Sequence, residues 1–139
     1  MDLDLEQEYN KFGNGAMKVW GKEIVLDARC DKDKVNDPSI LTAFLKELVI
    51  RVGMKAYKEP QIELFGEGGL YGYSALQWIH TSNIVLHTTL DGNFYLNLFS
   101  CRTFDEATVE KCVIDFFGGE VDFSETTFRG VRAEKLKTS

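Results

Sequence analysis

The chain predicts an α+β fold: a two-layer α/β sandwich with a mostly antiparallel sheet and two helices on one face. Three observations carry this expectation. Two segments repeat apolar residues at three- and four-residue steps, the period of a helix that buries one side. Six other segments are short, β-branched or aromatic in character, and bounded by Gly, Pro, Asn or Asp. Their order is β-α-β-β-β-β-α-β, in which hairpin-length connections join neighbouring strands, so the sheet is largely antiparallel and the helices cover it.

The elements follow in order. Residues 1–16, MDLDLEQEYNKFGNGA, are polar and unpatterned and form an N-terminal extension without a predicted element. Residues 17–130 form the folded domain, and 131–139 a locally basic, solvated tail. A first strand centres on Glu23-Ile24-Val25-Leu26-Asp27, and DKDKVND after it is a turn. Asp37 caps the first helix with Pro38 at its first position. Ile40, Leu41, Phe44, Leu45, Leu48, Val49 and Val52 form its buried stripe, and Gly53 ends it. QIELF after Pro60 is a short strand that GEGG breaks. Strands over 73–79, 84–88 and 93–99 follow, the last two joined at Leu90-Asp91-Gly92. Phe104, Val109, Cys112, Val113, Phe116 and Phe117 return to helical period until Gly118-Gly119, and EVDFSETTFRG is the closing strand.

Composition excludes several function classes. The 139 residues carry a net charge of -6 and no basic cluster interleaved with aromatics, which argues against a nucleic-acid partner. No apolar run approaches the ~20 residues of a membrane span. Cys30, Cys101 and Cys112 are an odd count in no metal spacing, so free thiols, no metal and a reducing, cytoplasmic setting are expected.

The chemistry concentrates in HTSNIVLHTT, residues 80–89, which holds both histidines. Side chains five positions apart on a regular strand face opposite ways, so Ser82 and His87 meet only if Ser82 sits in the preceding turn or on a kink. As a lone feature, Ser82 is accounted for by a polar turn. The alternative is a serine whose hydroxyl attacks the carbonyl of residue 81, which requires a strained peptide there. The ester so formed breaks by β-elimination, and the serine becomes a pyruvoyl group capping the new C-terminal fragment. An imidazole, with its near-neutral pKa, suits the removal of the α-proton.

The run YGYSALQWIHTSNIVLHTTLDGNFYLNLFSC resembles the short prokaryotic S-adenosylmethionine decarboxylases, pyruvoyl enzymes made as self-cleaving proenzymes. Tyr71, Gly72 and Ser74 match a YGxS element, Ser82 the cleavage serine, His87-Thr88 a histidine element five residues on, and Leu98-Phe99-Ser100-Cys101 an LFTC-like strand end. A weaker similarity runs from about Val19 to Gly130. It implies the S-adenosylmethionine decarboxylase-like sandwich, a homodimer with sites near the protomer interface, and a role in polyamine and spermidine synthesis. Residue by residue it implies Ser82 as pyruvoyl precursor, Ser74 as the group that holds the oxyoxazolidine, His87 as promoter of elimination and Cys101 as proton donor. The self-generated pyruvoyl is the cofactor: it forms a Schiff base with the substrate's amine and takes up the electrons of decarboxylation. Tyr71, Phe65 and Glu67 are the substrate-binding candidates.

Three departures stand out. Thr81 replaces a typical Glu before the cleavage serine, Asn83 an often-found His after it, and Thr89-Leu90-Asp91 a WPE. They keep three other readings in view: an arginine or ornithine decarboxylase using the same group, an unprocessed homologue that regulates an active partner, and a nucleoside-binding lyase on this scaffold.

Overall fold

The computed structural model describes residues 19–131 and 137–138; the N-terminal extension lies outside the described residues. Strand β1 (Gly21–Arg29) is followed by helices α1 (Lys32–Val35) and α2 (Pro38–Arg51). Strands β2 (Ala56–Phe65), β3 (Gly72–Ile79), β4 (Ser82–Thr88) and β5 (Asn93–Ser100) come next, with a single 3-10 turn, Gly68–Leu70, between β2 and β3. Helix α3 (Glu106–Phe117), strand β6 (Glu120–Arg129) and the two-residue β7 (Lys137–Thr138) complete the chain. The seven strands form one sheet in the order β2-β3-β4-β5-β1-β6-β7, every pair antiparallel.

The two long helices start where side chains replace missing backbone partners. Asp37 accepts from the backbone N–H of Ser39 at 2.9 Å and opens α2, and Asp105 does the same for Ala107 at the start of α3. Gly53 and Gly118 follow the helices at φ of +72° and +68°, a region that favours glycine. The stripe of α2 buries Leu41, Phe44, Leu45, Leu48 and Val49, and that of α3 buries Val109, Cys112, Val113 and Phe117.

Both stripes meet one face of the sheet, where Ile24, Leu26, Ile84, Leu86, Phe94, Leu96 and Leu98 are buried. Phe44 stands at the centre of this layer, its ring 4.9 Å from that of Phe117 and 5.7 Å from that of Phe94. Among the described residues the opposite face carries no helix, and alternate strand residues remain half-exposed there. This is the α+β sandwich expected.

Three local features differ from expectation. The turn DKDKVND contains α1, because the Asp31 carboxylate accepts from the backbone of Asp33 and Lys34 and nucleates one helical turn. Strand β2 begins before Pro60 rather than after it. Its register jumps between Tyr57 and Gln61, so proline sits in a bulge of an edge strand, where its missing N–H breaks no ladder bond. Lys137–Thr138, within the tail, pairs with Thr126 and Thr127.

Candidate active site

The helix-free face is laid out in registered rows, because directly paired antiparallel residues share a face. One row runs Glu63, Ser74, His87, Tyr95, Asp27 and Phe123 from β2 to β6. Another, four residues along each of β3, β4 and β5, runs Tyr57, Trp78, Asn83, Phe99, Glu23 and Thr127. Between them lie Leu76, Val85 and Val25, an apolar strip with Asn97 set into it.

The second row ends at the turn joining β3 to β4. Ile79 pairs with Ser82, leaving His80 and Thr81 as a two-residue loop. Thr81 has φ +59°, a left-handed conformation that crowds any side chain and is severe for a β-branched one. The peptide that follows it is the Thr81-Ser82 bond. Ser82 is the first residue of β4, buried on the helix side, and its Oγ accepts from the backbone N–H of Cys101 at 2.8 Å. The Cys101 sulfur lies 2.7 Å from the Thr81 hydroxyl and 3.9 Å from the carbonyl oxygen of His80. Residue 101 thus touches both sides of one peptide bond, through its backbone on the Ser82 side and its thiol on the Thr81 side.

What holds Cys101 there is the segment beyond β5. The buried Lys22 of β1 donates to the carbonyl of Phe104 at 2.7 Å, pairs with Glu106 and sits 4.6 Å from the Phe104 ring centroid. Ser100 accepts from the backbone of Arg102 at 2.9 Å. A cavity of about 630 Å³ opens beside the turn, lined by Tyr57, Lys58, Trp78, Ile79, His80, Thr81, Ser82, Asn83 and Phe99. That volume suits a nucleoside-sized ligand. Phe99 is backed by the Trp20 ring at 5.4 Å and the Arg129 guanidinium at 5.0 Å.

Ser74 and His87 form the other half of the predicted set. They face each other across β3 and β4 with Oγ and Nδ1 2.7 Å apart. Gly72 explains the glycine of Tyr71-Gly72-Tyr73-Ser74: a Cβ there would collide with the carbonyl of Thr88, so only glycine lets the two strands close at this end. Phe65, the last residue of β2, and Glu67 and Tyr71, on the connection to β3, sit at the same end, with Phe65 exposed and Tyr71 half-buried.

Within the chain the predicted residues therefore divide. Ser82, Cys101 and Thr81 come together at the turn. Ser74 and His87 come together about 17 Å away along β4, five residues at ~3.4 Å each, with Phe65, Glu67 and Tyr71 beyond them. The cavity's aromatic walls, Tyr57, Trp78 and Phe99, are absent from the expected set. Their signal was the hairpin register itself: once His80-Thr81 is the loop, Trp78 and Asn83 must flank it on one face.

The remaining thiols are not part of the site. Burial pushes Cys30 and Cys112 up to about 11, which leaves both protonated at neutral pH. Among the described residues no cluster of His, Cys, Asp and Glu is arranged to hold a metal, and no helix is long and apolar enough to cross a membrane.

Fold and site define a class: a single antiparallel sheet, two helices on one side, and a strained turn peptide before a buried serine. Residues 22–130 match S-adenosylmethionine decarboxylase, a span from β1 to the end of β6, and the chain belongs to this family of pyruvoyl-dependent decarboxylases. No curated protein matches the chain.

Proposed function

We propose that the chain is a self-processing, cytosolic, pyruvoyl-dependent decarboxylase of S-adenosylmethionine that serves polyamine synthesis and works as a homodimer. The observation that carries this reading is the Thr81-Ser82 peptide, left-handed on its acyl side and bracketed by Cys101.

The residues present fit formation of the pyruvoyl group. Ser82 supplies the attacking hydroxyl and the carbons that become the new fragment's cap, and the Thr81 backbone is left-handed rather than extended. The Ser82 oxygen bonds to the Thr81 carbonyl carbon and the C–N bond breaks, giving an ester. Loss of the Ser82 α-proton then expels the Thr81 carboxylate, and one water converts the remaining enamine to the keto group with release of ammonia. Once formed, that group supplies a carbonyl for the substrate's amine and a sink for the electrons left by carbon dioxide.

The chain's own residues take the other parts. Trp78, Phe99 and Tyr57 offer flat surfaces for a purine and exclude water from one wall of the cavity. Cys101 stands at the cleavage point as the group with a proton to return to the product carbon. His87, oriented by Ser74, is the base for the α-proton, yet it stands on the same strand as Ser82 and on the other face.

A second copy resolves that separation. If two helix-free faces stack about a twofold axis across the strands, the Ser82 end of one protomer lies over the Ser74 and His87 end of the other. The apolar strip of Leu76, Val85 and Val25 between the two ends supplies the contact. The partner's Ser74, His87, Phe65, Glu67 and Tyr71 then reach the cavity that none of them reaches in its own chain.

Intact-mass measurement of the purified protein tests the reading. Two fragments are expected, one ending at Thr81 and one beginning with a pyruvoyl at position 82. A chain that stays whole at 15.8 kDa after prolonged incubation overturns it and leaves a non-catalytic homologue. Carbon dioxide release from S-adenosylmethionine, arginine and ornithine, supplied separately, then assigns the substrate.

A further inference from the structure

Thr81 does more than precede the cleavage point. Its hydroxyl and the Cys101 sulfur are 2.7 Å apart, a close contact between the side chain on the acyl side of the bond and the thiol at the end of β5. The thiol's own proton has an acceptor in the His80 carbonyl, 3.9 Å from the sulfur. With the thiol proton placed there, the sulfur lone pairs accept and the Thr81 O–H donates. A hydroxyl donating to sulfur stabilises the thiolate over the thiol. The residue with the left-handed backbone at φ +59° is thus the same one whose side chain meets Cys101.

We propose that Thr81 is the positioning residue of Cys101: its hydroxyl holds the thiol at the cleavage point and stabilises the sulfur when the proton leaves. This rests on the reading of Cys101 as the proton donor of the decarboxylase site. In that role the proton passes from sulfur to the substrate carbon, and the Thr81 hydroxyl keeps its own proton while it compensates the negative charge left on sulfur. The resemblance places a carboxylate side chain at this position in related sequences, so the hydroxyl is this chain's own solution.

The test uses the uncut chain, in which activity plays no part. In a Ser82→Ala background, Cys101 alkylation by iodoacetamide at pH 7.5 is followed by peptide-mapped mass spectrometry. Cys30 and Cys112, pushed up to about 11 by burial, serve as slow internal references. Thr81→Val keeps the β-branch and removes the hydroxyl, and Thr81→Ser keeps the hydroxyl and removes the methyl. Loss of one hydrogen bond to a thiolate corresponds to about a fivefold fall in Cys101 alkylation for Thr81→Val, with the Thr81→Ser rate within about twofold of the parent. An unchanged or faster rate in Thr81→Val, or a Thr81→Ser rate as low as that of Thr81→Val, overturns the inference. Coincident thermal melts of the three proteins establish that all are folded; a variant that melts early is replaced by Thr81→Ala, for which the same fall is expected. Failure of the decarboxylase reading is seen separately, as an uncut chain with Ser82 present, and leaves the alkylation result standing on its own.

Discussion

Ser82 and His87 share strand β4 but point to opposite faces, Ser82 buried toward the helices and His87 exposed on the helix-free side. Five strand residues place them about 17 Å apart. On the proposed reading, chemistry that uses both groups on one substrate draws them from two chains. Co-expression of Ser82→Ala and His87→Ala chains checks this. Each is expected to remain uncut alone, and in an equal mixture about half of the His87→Ala chains find a Ser82→Ala partner that supplies the missing imidazole and are cut. Mass spectra that show no cleavage in the mixture place both groups in one chain's site instead.

The left-handed Thr81 stores strain beside the Thr81-Ser82 bond, the proposed cleavage point. A conformation of this kind costs roughly 1–3 kcal/mol for a side chain that resists it. Thr81→Gly removes the steric cost and is expected to slow self-cleavage several-fold without loss of fold. Fragment appearance against time, by gel or mass, reads this directly; cleavage as fast as in the parent means the strain does not contribute.

Gly72 lets β3 and β4 close beside the Thr88 carbonyl. Gly72→Ala must push the strands apart at the Ser74 and His87 end, at a stability cost of about 1–3 kcal/mol. The expected outcome is lower stability in denaturant together with impaired cleavage. Lowered stability with full cleavage would show that the Ser74–His87 pairing tolerates the shift.

Phe44 lies in the middle of the aromatic cluster between α2, α3 and β5. Phe44→Ala opens a cavity in a layer with no exposed flank, and is expected to cost about 3–5 kcal/mol by chemical denaturation. A loss below about 1 kcal/mol would mean that the helices collapse onto the gap.

Part of the acid stability follows from two helix carboxylates, beside Asp122 of β6, which Arg29 holds below the usual range. The Ser39 hydroxyl and backbone hold Asp37 below the usual carboxylate range, and Arg51, then Lys111, do the same for Asp115. Both groups have lower pKa values folded than unfolded. Their contribution is therefore complete above the unfolded value of about 4 and is lost as pH falls through the folded values. The melting temperature is expected to be level from pH 7 to about 5 and to fall below about 4, with a smaller fall in Asp115→Asn. An equal fall in that variant would assign the acid transition to other groups.

Much of the fold was legible because its signals are local. Asp37-Pro38 marks a helix start through a hydrogen bond within three residues. Alternation in β4 and β5 marks which side chains enter the core. Helix α1 and the first residues of β2 were hidden for the opposite reason. The polar run at Asp31 has no stripe to reveal a single turn, and Pro60 ends a strand everywhere except in a bulge on an edge.

The sequence by itself determined the order of the six longer strands and two long helices, the glycine between Tyr71 and Tyr73, and the opposite facing of Ser82 and His87, since these depend on local pattern, backbone geometry and a period of two. Only the tertiary structure decided that Cys101 comes to the Thr81-Ser82 bond while Ser74 and His87 gather at the far end of the sheet. That outcome depends on the pairing of β3, β4 and β5, where twenty residues of chain separate Thr81 from Cys101 and a registered strand end brings them into contact. Register is a property of strands packed together, set by burial of one whole face, and no single segment carries it.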